Sequence, residues 1–131
     1  MNRERLRLIP LGGLGEVGMN CLALEQGDDI ILIDCGVTFS DGTFGSDVIH
    51  PRFDYVLRHR DRLRGLVLTH GHEDHIGAVP YLLDEVMVPV YGPAHALALV
   101  RERLTEWHFD DDELDLRQTE CGRPFEVGSF K

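Results

Sequence analysis

Lysine is almost missing from this chain: of its 13 basic residues only Lys131 is not an arginine, and they face 23 acidic residues, for a formal net charge of −10. A field of that sign repels polyanions and excludes nucleic-acid binding through overall charge. A phosphate-bearing substrate would have to be held by local arginines, by metal ions, or by protein outside this sequence. Cysteine is scarce too. Cys21, Cys35 and Cys121 are odd in number and lack ligand spacing, which excludes a disulfide framework and fits a reducing cytosol. Cys35 and Cys121 are therefore read as packing residues. No apolar run is long enough to span a bilayer. The start, Met1–Arg5, leads into a short apolar segment broken by Pro10 and glycines, so a secretory leader is not expected. The expectation is a soluble, cytoplasmic protein with no membrane partner. At 131 residues and 43% hydrophobic content, one domain with a real core is within reach.

What is present reads as alternating elements. Leu6–Leu11 and Met19–Glu25 have strand character, and Gly27-Asp28-Asp29 is a tight turn before the β-branched run Ile30–Ile33. Two strands joined by a Gly-Asp turn predict an antiparallel hairpin. Cys35–Pro51 is rich in Gly, Ser, Asp and Thr and reads as an unusually long loop, the kind that tends to be functional. A short helix over Phe53–Arg60, a strand over Leu66–Thr69, a helix over Ile76–Val86 and a strand over Val88–Tyr91 follow. Ala94–Trp107 is the best helix, with Leu97, Val100 and Leu104 at helical spacing. Asp115–Glu120 and Phe125–Lys131 look like further strands. The class is α/β, with no internal repeat or linker. Because the sequence stops inside the strand-like run Glu126–Lys131, it is expected to be the N-terminal piece of a larger protein, with an exposed sheet edge able to pair with another chain.

The chemistry concentrates at Thr69-His70-Gly71-His72-Glu73-Asp74-His75, directly behind the apolar run Gly65–Leu68. Imidazole and carboxylate are ligands that zinc accepts. His70 and His72, two apart at a strand end, are expected to leave on one side. Gly71 leaves room for a sharp loop and an ion, and Asp74 and His75 stand where a second ion is in reach. Burying three imidazoles without a metal would demand a separate partner for each. A helical HEXXH site is excluded, since no suitable i, i+4 histidine pair exists. The other histidines (His50, His59, His95 and His108) lack ligand spacing and are read as surface or packing residues. Asp110–Glu113 is read as a solvated turn, and the arginines from Arg52 to Arg64 as a helix face.

A competing motif precedes it. Gly13-Leu14-Gly15-Glu16-Val17-Gly18 satisfies G-x-G-x-x-G, with Asp34 at the end of a later strand, as a dinucleotide fingerprint would. That reading needs a helix opening at Gly15 to offer its amides to a pyrophosphate. Glu16 would put a carboxylate against the phosphates. A strand over Met19–Glu25 would remove the reading.

The pattern His-X-His-X-Asp-His resembles the signature of the metallo-β-lactamase superfamily. Together with Leu11–Asn20, Ile33-Asp34-Cys35-Gly36, the continuation Ile76–Leu83 and Val88–Gly92, the chain from about Leu6 to Lys131 resembles the start of the ribonuclease J family, in the β-CASP branch. The resemblance implies an αβ/βα sandwich of which residues 1–131 form the N-terminal half, as a partial domain. It implies a metal-dependent hydrolase with two zinc ions, His70 and His72 holding one and Asp74 and His75 the other. A bridging water would become the nucleophile, and Asp74 would be catalytic through proton transfer. Asp34 would stand behind the ligands and hydrogen-bond the loop or an imidazole, with a simple capping role equally open. Glu16 and Asn20 would shape the rim of the site. The substrate would be RNA, cut as an exonuclease, an endonuclease or both, in RNA processing and decay including that of rRNA. The whole protein is expected to be a homo-oligomer.

A complete site of that kind also needs a third histidine for the first metal, a bridging aspartate and a later histidine, none of which this sequence contains at family positions. Two ligands per ion predict weak zinc binding and no nuclease activity for these residues alone. The alternatives are a small-molecule metallo-hydrolase of the same fold, thioesterase or lactamase in type, and a non-catalytic interaction module.

Overall fold

The computed structural model describes residues 5–39 and 48–131. Its main feature is a six-stranded mixed sheet. Strands β1 (Arg7–Gly12), β2 (Cys21–Gln26) and β3 (Asp29–Ile33) form an antiparallel meander. β6 (Leu63–Val67), β7 (Val90–Gly92) and β8 (Leu116–Gln118) then add in parallel, one after another. Parallel neighbours need crossovers, and these are the helices: α1 (Asp54–Arg58) before β6, α2 (Glu73–Ile76) and α3 (Val79–Glu85) before β7, and α4 (Ala94–Glu106) before β8. A small antiparallel pair, β4 (Thr38–Phe39) and β5 (Val48–Ile49), stands outside this sheet.

The core follows from strand alternation. Ala23, Ile30, Leu32, Leu66 and Val90 are fully buried together with Val56, Val79, Leu82 and Leu104 from the helical layer. Each fully buried aliphatic side chain contributes about 1.5–3 kcal/mol, so this layer supplies most of the driving force. The opposite face carries Leu24, Ile31, Ile33 and Val67, which line a pocket with Pro124, Phe125, Val127 and Phe130. The structure is thus a single α/β layer pair, consistent with one half of the expected sandwich.

Several expected elements change. Met19–Glu25 is strand in the structure from Cys21 on, and residues 14–18 form bends with no helix, so the dinucleotide fingerprint is lost. The long loop contains β4 and β5, and its residues 40–47 lie outside the described ones. The strand expected over Leu66–Thr69 starts earlier, at Leu63, and ends at Val67. The single helix over Ile76–Val86 is two short ones, broken at Gly77-Ala78 and re-entered at Val79, with Pro80 in the first turn, where proline is favoured. Phe125–Lys131 is no strand. Val127 and Phe130 close a turn on each other, Gly128 takes φ 57°, and Ser129 N donates to Asp29 Oδ2 at 2.7 Å. Its apolar residues lie against the sheet face instead of extending an edge, so the unfinished-strand reading has no basis in this segment.

The arginine run is not one solvated face. Arg62 Nη2 donates to Glu25 Oε1 at 2.8 Å and to Gly27 O at 2.6 Å. The Tyr55 hydroxyl donates to the other Glu25 oxygen. Arg64 Nε donates to Asp29 Oδ1 at 2.6 Å, and Arg52 pairs with Asp54 at 2.6 Å. Arg62 and Arg64 staple the β6 approach to the hairpin, Arg62 compensating the buried Glu25, while the Arg52 pair is local and exposed. Tyr55 and Arg62 hold the Glu25 carboxyl below the usual carboxylate range. Among the described residues no helix is long and apolar enough to cross a membrane.

Candidate metal centre

β3 and β6 run parallel and end together, Ile33 opposite Val67. That register places the segments after each strand side by side. Asp34 N donates to Val67 O at 2.9 Å, and the residue then turns into the left-handed region with φ 61°. Aspartate is among the few residues that enter this region at modest cost. The turn drives its buried carboxylate into the loop after β6. Asp34 Oδ1 accepts from Thr69 N at 2.8 Å, and Oδ2 accepts from Thr69 Oγ1 at 2.7 Å and meets His75 Nδ1 at 2.7 Å. Both oxygens are satisfied, as a buried carboxylate requires. With Nδ1–H committed to Asp34, the free lone pair of His75 is on Nε2, a tautomer assigned from that bond.

The strand-like segment after Asp34 runs along the start of α2. Cys35 N donates to His75 O at 2.8 Å, Val37 N to Glu73 O at 3.1 Å, and Ala78 N to Cys35 O at 2.9 Å. Gly36 lies so close that a Cβ there would stand 1.7 Å from Asp74 O. Only glycine allows the two backbones this approach. Asn20 closes the other side. Its backbone O accepts from Gly36 N at 3.0 Å, and both its backbone N and its Nδ2 donate to Asp74 O at 3.0 Å. Asn20 Nδ2 is also 3.4 Å from Asp74 Oδ2 and from His75 Nε2.

Against this support the candidate ligands gather. The His70 ring lies 4.7 Å from that of His72 and 4.0 Å from that of His75, centroid to centroid. Asp74 Oδ2 is 3.5 Å from His75 Nε2. His70 Nδ1 lies 3.0 Å from Thr69 Oγ1, so this imidazole too has one nitrogen engaged by a partner. Imidazoles that bind metal are oriented through their second nitrogen in this way. The donor chemistry suits zinc. Among the described residues, however, no three or more His, Cys, Asp or Glu side chains close round a single point as a metal cage. The residues fit a metal by chemistry and orientation, and fall short of a closed coordination shell in number.

Each sequence-predicted residue has a definite place. His70, His72, Asp74 and His75 come together, with Asp34 directly behind His75. Asn20 lies beneath the ligand loop, holding its backbone. Glu16 sits in the exposed part of the bend 14–18 and, among the described residues, makes no hydrogen bond to the four. Gly71 does not make room for an ion: a Cβ there would meet Leu99 Cδ1 of α4 at 2.7 Å. His95, in the first turn of α4, is exposed beside Gly71. His50 stacks on Tyr81 at 4.6 Å and Phe53 at 5.3 Å, away from the cluster. Sequence reading passed over Gly36, which looked like part of an ordinary cap. The signal was the dipeptide Cys35-Gly36 following a strand-end acid.

A family profile described as Metallo-beta-lactamase superfamily matches residues 14–128. Ribonuclease J of Helicobacter pylori is 37% identical over 130 residues, covering 98% of this chain and 19% of that protein. Ribonuclease J of Thermus thermophilus is 37% identical over 134 residues, covering 98% of this chain and 23% of that protein. The chain therefore spans about a fifth of the length of these curated relatives. Among solved structures, the metallo-beta-lactamase fold protein YhfI from Bacillus subtilis superposes with a TM-score of 0.60 at 17% identity, covering 95% of this chain and 50% of that one.

Proposed function

Because the chain belongs to the metallo-beta-lactamase superfamily, we propose that it supplies the metal-ligand loop of a zinc-dependent ribonuclease that hydrolyses RNA phosphodiester bonds. The observation that carries this is the Asp34–His75 bond, 2.7 Å long, which leaves Nε2 of a fixed imidazole beside Asp74 and near His70. Similarity to two proteins named ribonuclease J supports RNA as the substrate class.

His70 and His72 would hold one zinc, and Asp74 and His75 a second. Bound zinc would supply Lewis acidity, bringing the pKa of a water to about 7 and offsetting charge on phosphoryl oxygens. The chain's own contribution is orientation. Asp34 sets the His75 tautomer and ring plane. Asn20 and Gly36 clamp the backbone of Asp74, so its carboxylate stays next to His75 Nε2. From there Asp74 accepts or passes a proton at Oδ2. With two ligands per ion, these residues alone bind zinc more weakly than micromolar and do not turn over RNA; the remaining ligands and the RNA clamp belong to a larger protein that acts in the cytoplasm as a homo-oligomer.

A segment exchange tests the reading. Replacing the matching stretch of the Thermus thermophilus ribonuclease J with this chain should give a chimera that cleaves 5′-monophosphorylated RNA and dies on Asp74→Asn. A zinc-loaded chimera with no activity on RNA would refute RNA hydrolysis. Micromolar-or-tighter zinc binding with RNA turnover by the chain alone would refute its incompleteness.

A further inference from the structure

The acid in the middle of the ligand loop is not used by the centre described above. Glu73 lies between His72 and Asp74, and its side chain turns away from them toward α4. There Arg103 Nη2 donates to Glu73 Oε1 at 2.5 Å and Nη1 donates to Oε2 at 3.3 Å. This is a two-point guanidinium–carboxylate fork, which fixes direction as well as distance. Arg103 is steadied in turn by Glu106, 3.7 Å from its Nε. One turn earlier on α4, Leu99 occupies the space in front of Gly71. Two contacts from one helix thus bracket the loop, one at Gly71 and one at Glu73. The residues between and beside them are His70, His72 and Asp74.

The backbone of Glu73 is held independently, its O accepting from Val37 N at 3.1 Å and Gly77 N at 2.8 Å. The side-chain fork is therefore not needed to form α2. What it adds is a restraint on rotation of the His72–Asp74 stretch about that backbone. The pair is partly open to solvent, with side-chain exposures of 38% and 43%, so its value lies in geometry and little in global stability.

We propose that Arg103 is a positioning residue for the metal centre, acting through Glu73 to set the orientation of His72 and Asp74. This rests on the metal reading above, and the test separates the two. In the metal-free chain, Arg103→Met should weaken the nuclear Overhauser contact between the His70 and His72 rings and shift the His72 imidazole signals, while amide exchange at Ile30, Leu32 and Leu66 stays as in the parent. Glu73→Leu should do the same. Cobalt(II) titration should show each single variant binding about tenfold more weakly, the lower end of the effect of outer-sphere partners on metal affinity. The double variant should be no weaker than the poorer single one, since the two act as one unit. Unmoved histidine signals in Arg103→Met, or additive losses in the double variant, would overturn the proposal. Absence of cobalt(II) uptake by the parent chain even at millimolar cobalt(II) would count against the metal reading alone, and the metal-free histidine signals would still decide the role of Arg103.

Discussion

Replacing Asp34 by alanine removes a single acceptor that serves three donors: Thr69 N at 2.8 Å, Thr69 Oγ1 at 2.7 Å and His75 Nδ1 at 2.7 Å. Hydrogen bonds to a charged group contribute about 1.5–3 kcal/mol each when buried. The three do not sum to their maximum, because the His75 side chain is 22% exposed and water can reach one side of the site. Alanine also has to adopt φ near 61°, which costs an L-residue about 1 kcal/mol. The expected loss is about 4 kcal/mol, a large share of the roughly 5–15 kcal/mol that holds a domain together. Asp34→Asn is the informative partner. Asparagine tolerates the left-handed backbone and keeps one oxygen for Thr69 N, while Thr69 can rotate its hydroxyl and His75 can exchange tautomers to meet the new NH2. It should cost about 1–2 kcal/mol, within the range of one altered hydrogen bond. Urea unfolding of parent and variants at neutral pH measures both, and imidazole nitrogen shifts report the His75 tautomer. An alanine variant within about 1 kcal/mol of the parent would show that Asp34 is not the anchor of the ligand loop. An asparagine variant as damaging as alanine would show that charge, and not shape, dominates.

Three further outcomes follow from packing and linkage. Gly36→Ala would place a Cβ 1.7 Å from Asp74 O, a backbone atom with no freedom to retreat; the variant should fold poorly or melt well below the parent, and an unchanged thermal melt would contradict the close approach. The Glu25 carboxyl is held below its ordinary range by Tyr55 and Arg62, so its contribution is complete above the unfolded value of about 4.3 and is lost as pH falls through the lower folded value. Tyr55 is shifted the other way, raised by burial and by Glu25, so stability also falls as pH rises above about 10, where the unfolded phenol ionises first. Glu25→Gln should flatten the acid limb of a stability–pH curve measured by denaturant midpoint, and an unchanged limb would assign that limb to other carboxylates.

The sequence by itself determined the features whose causes are local. The hairpin Cys21–Gln26 with Asp29–Ile33 follows from a Gly-Asp turn between apolar runs, and α4 from the spacing of Leu97, Val100 and Leu104. The candidate ligands His70, His72, Asp74 and His75 could be named from the sequence because they lie within one loop and their chemistry is a property of residue type, and the structure brings their side chains together. Elements whose causes are distant were not legible. Phe125–Lys131 has strand-like composition, yet Asp29, a hundred residues earlier, captures Ser129 N and a turn results. Arg62 and Arg64 looked solvated until Glu25 and Asp29 came to face them. The tertiary structure alone decided that Asp34 reaches across 41 residues to hold His75, that Gly36 must be glycine, and that α4 reaches the ligand loop at Gly71 and Glu73. Residue type and local spacing specify which atoms are able to bind a metal. Their orientation depends on contacts between strand ends and helices that are neighbours only after the chain has packed.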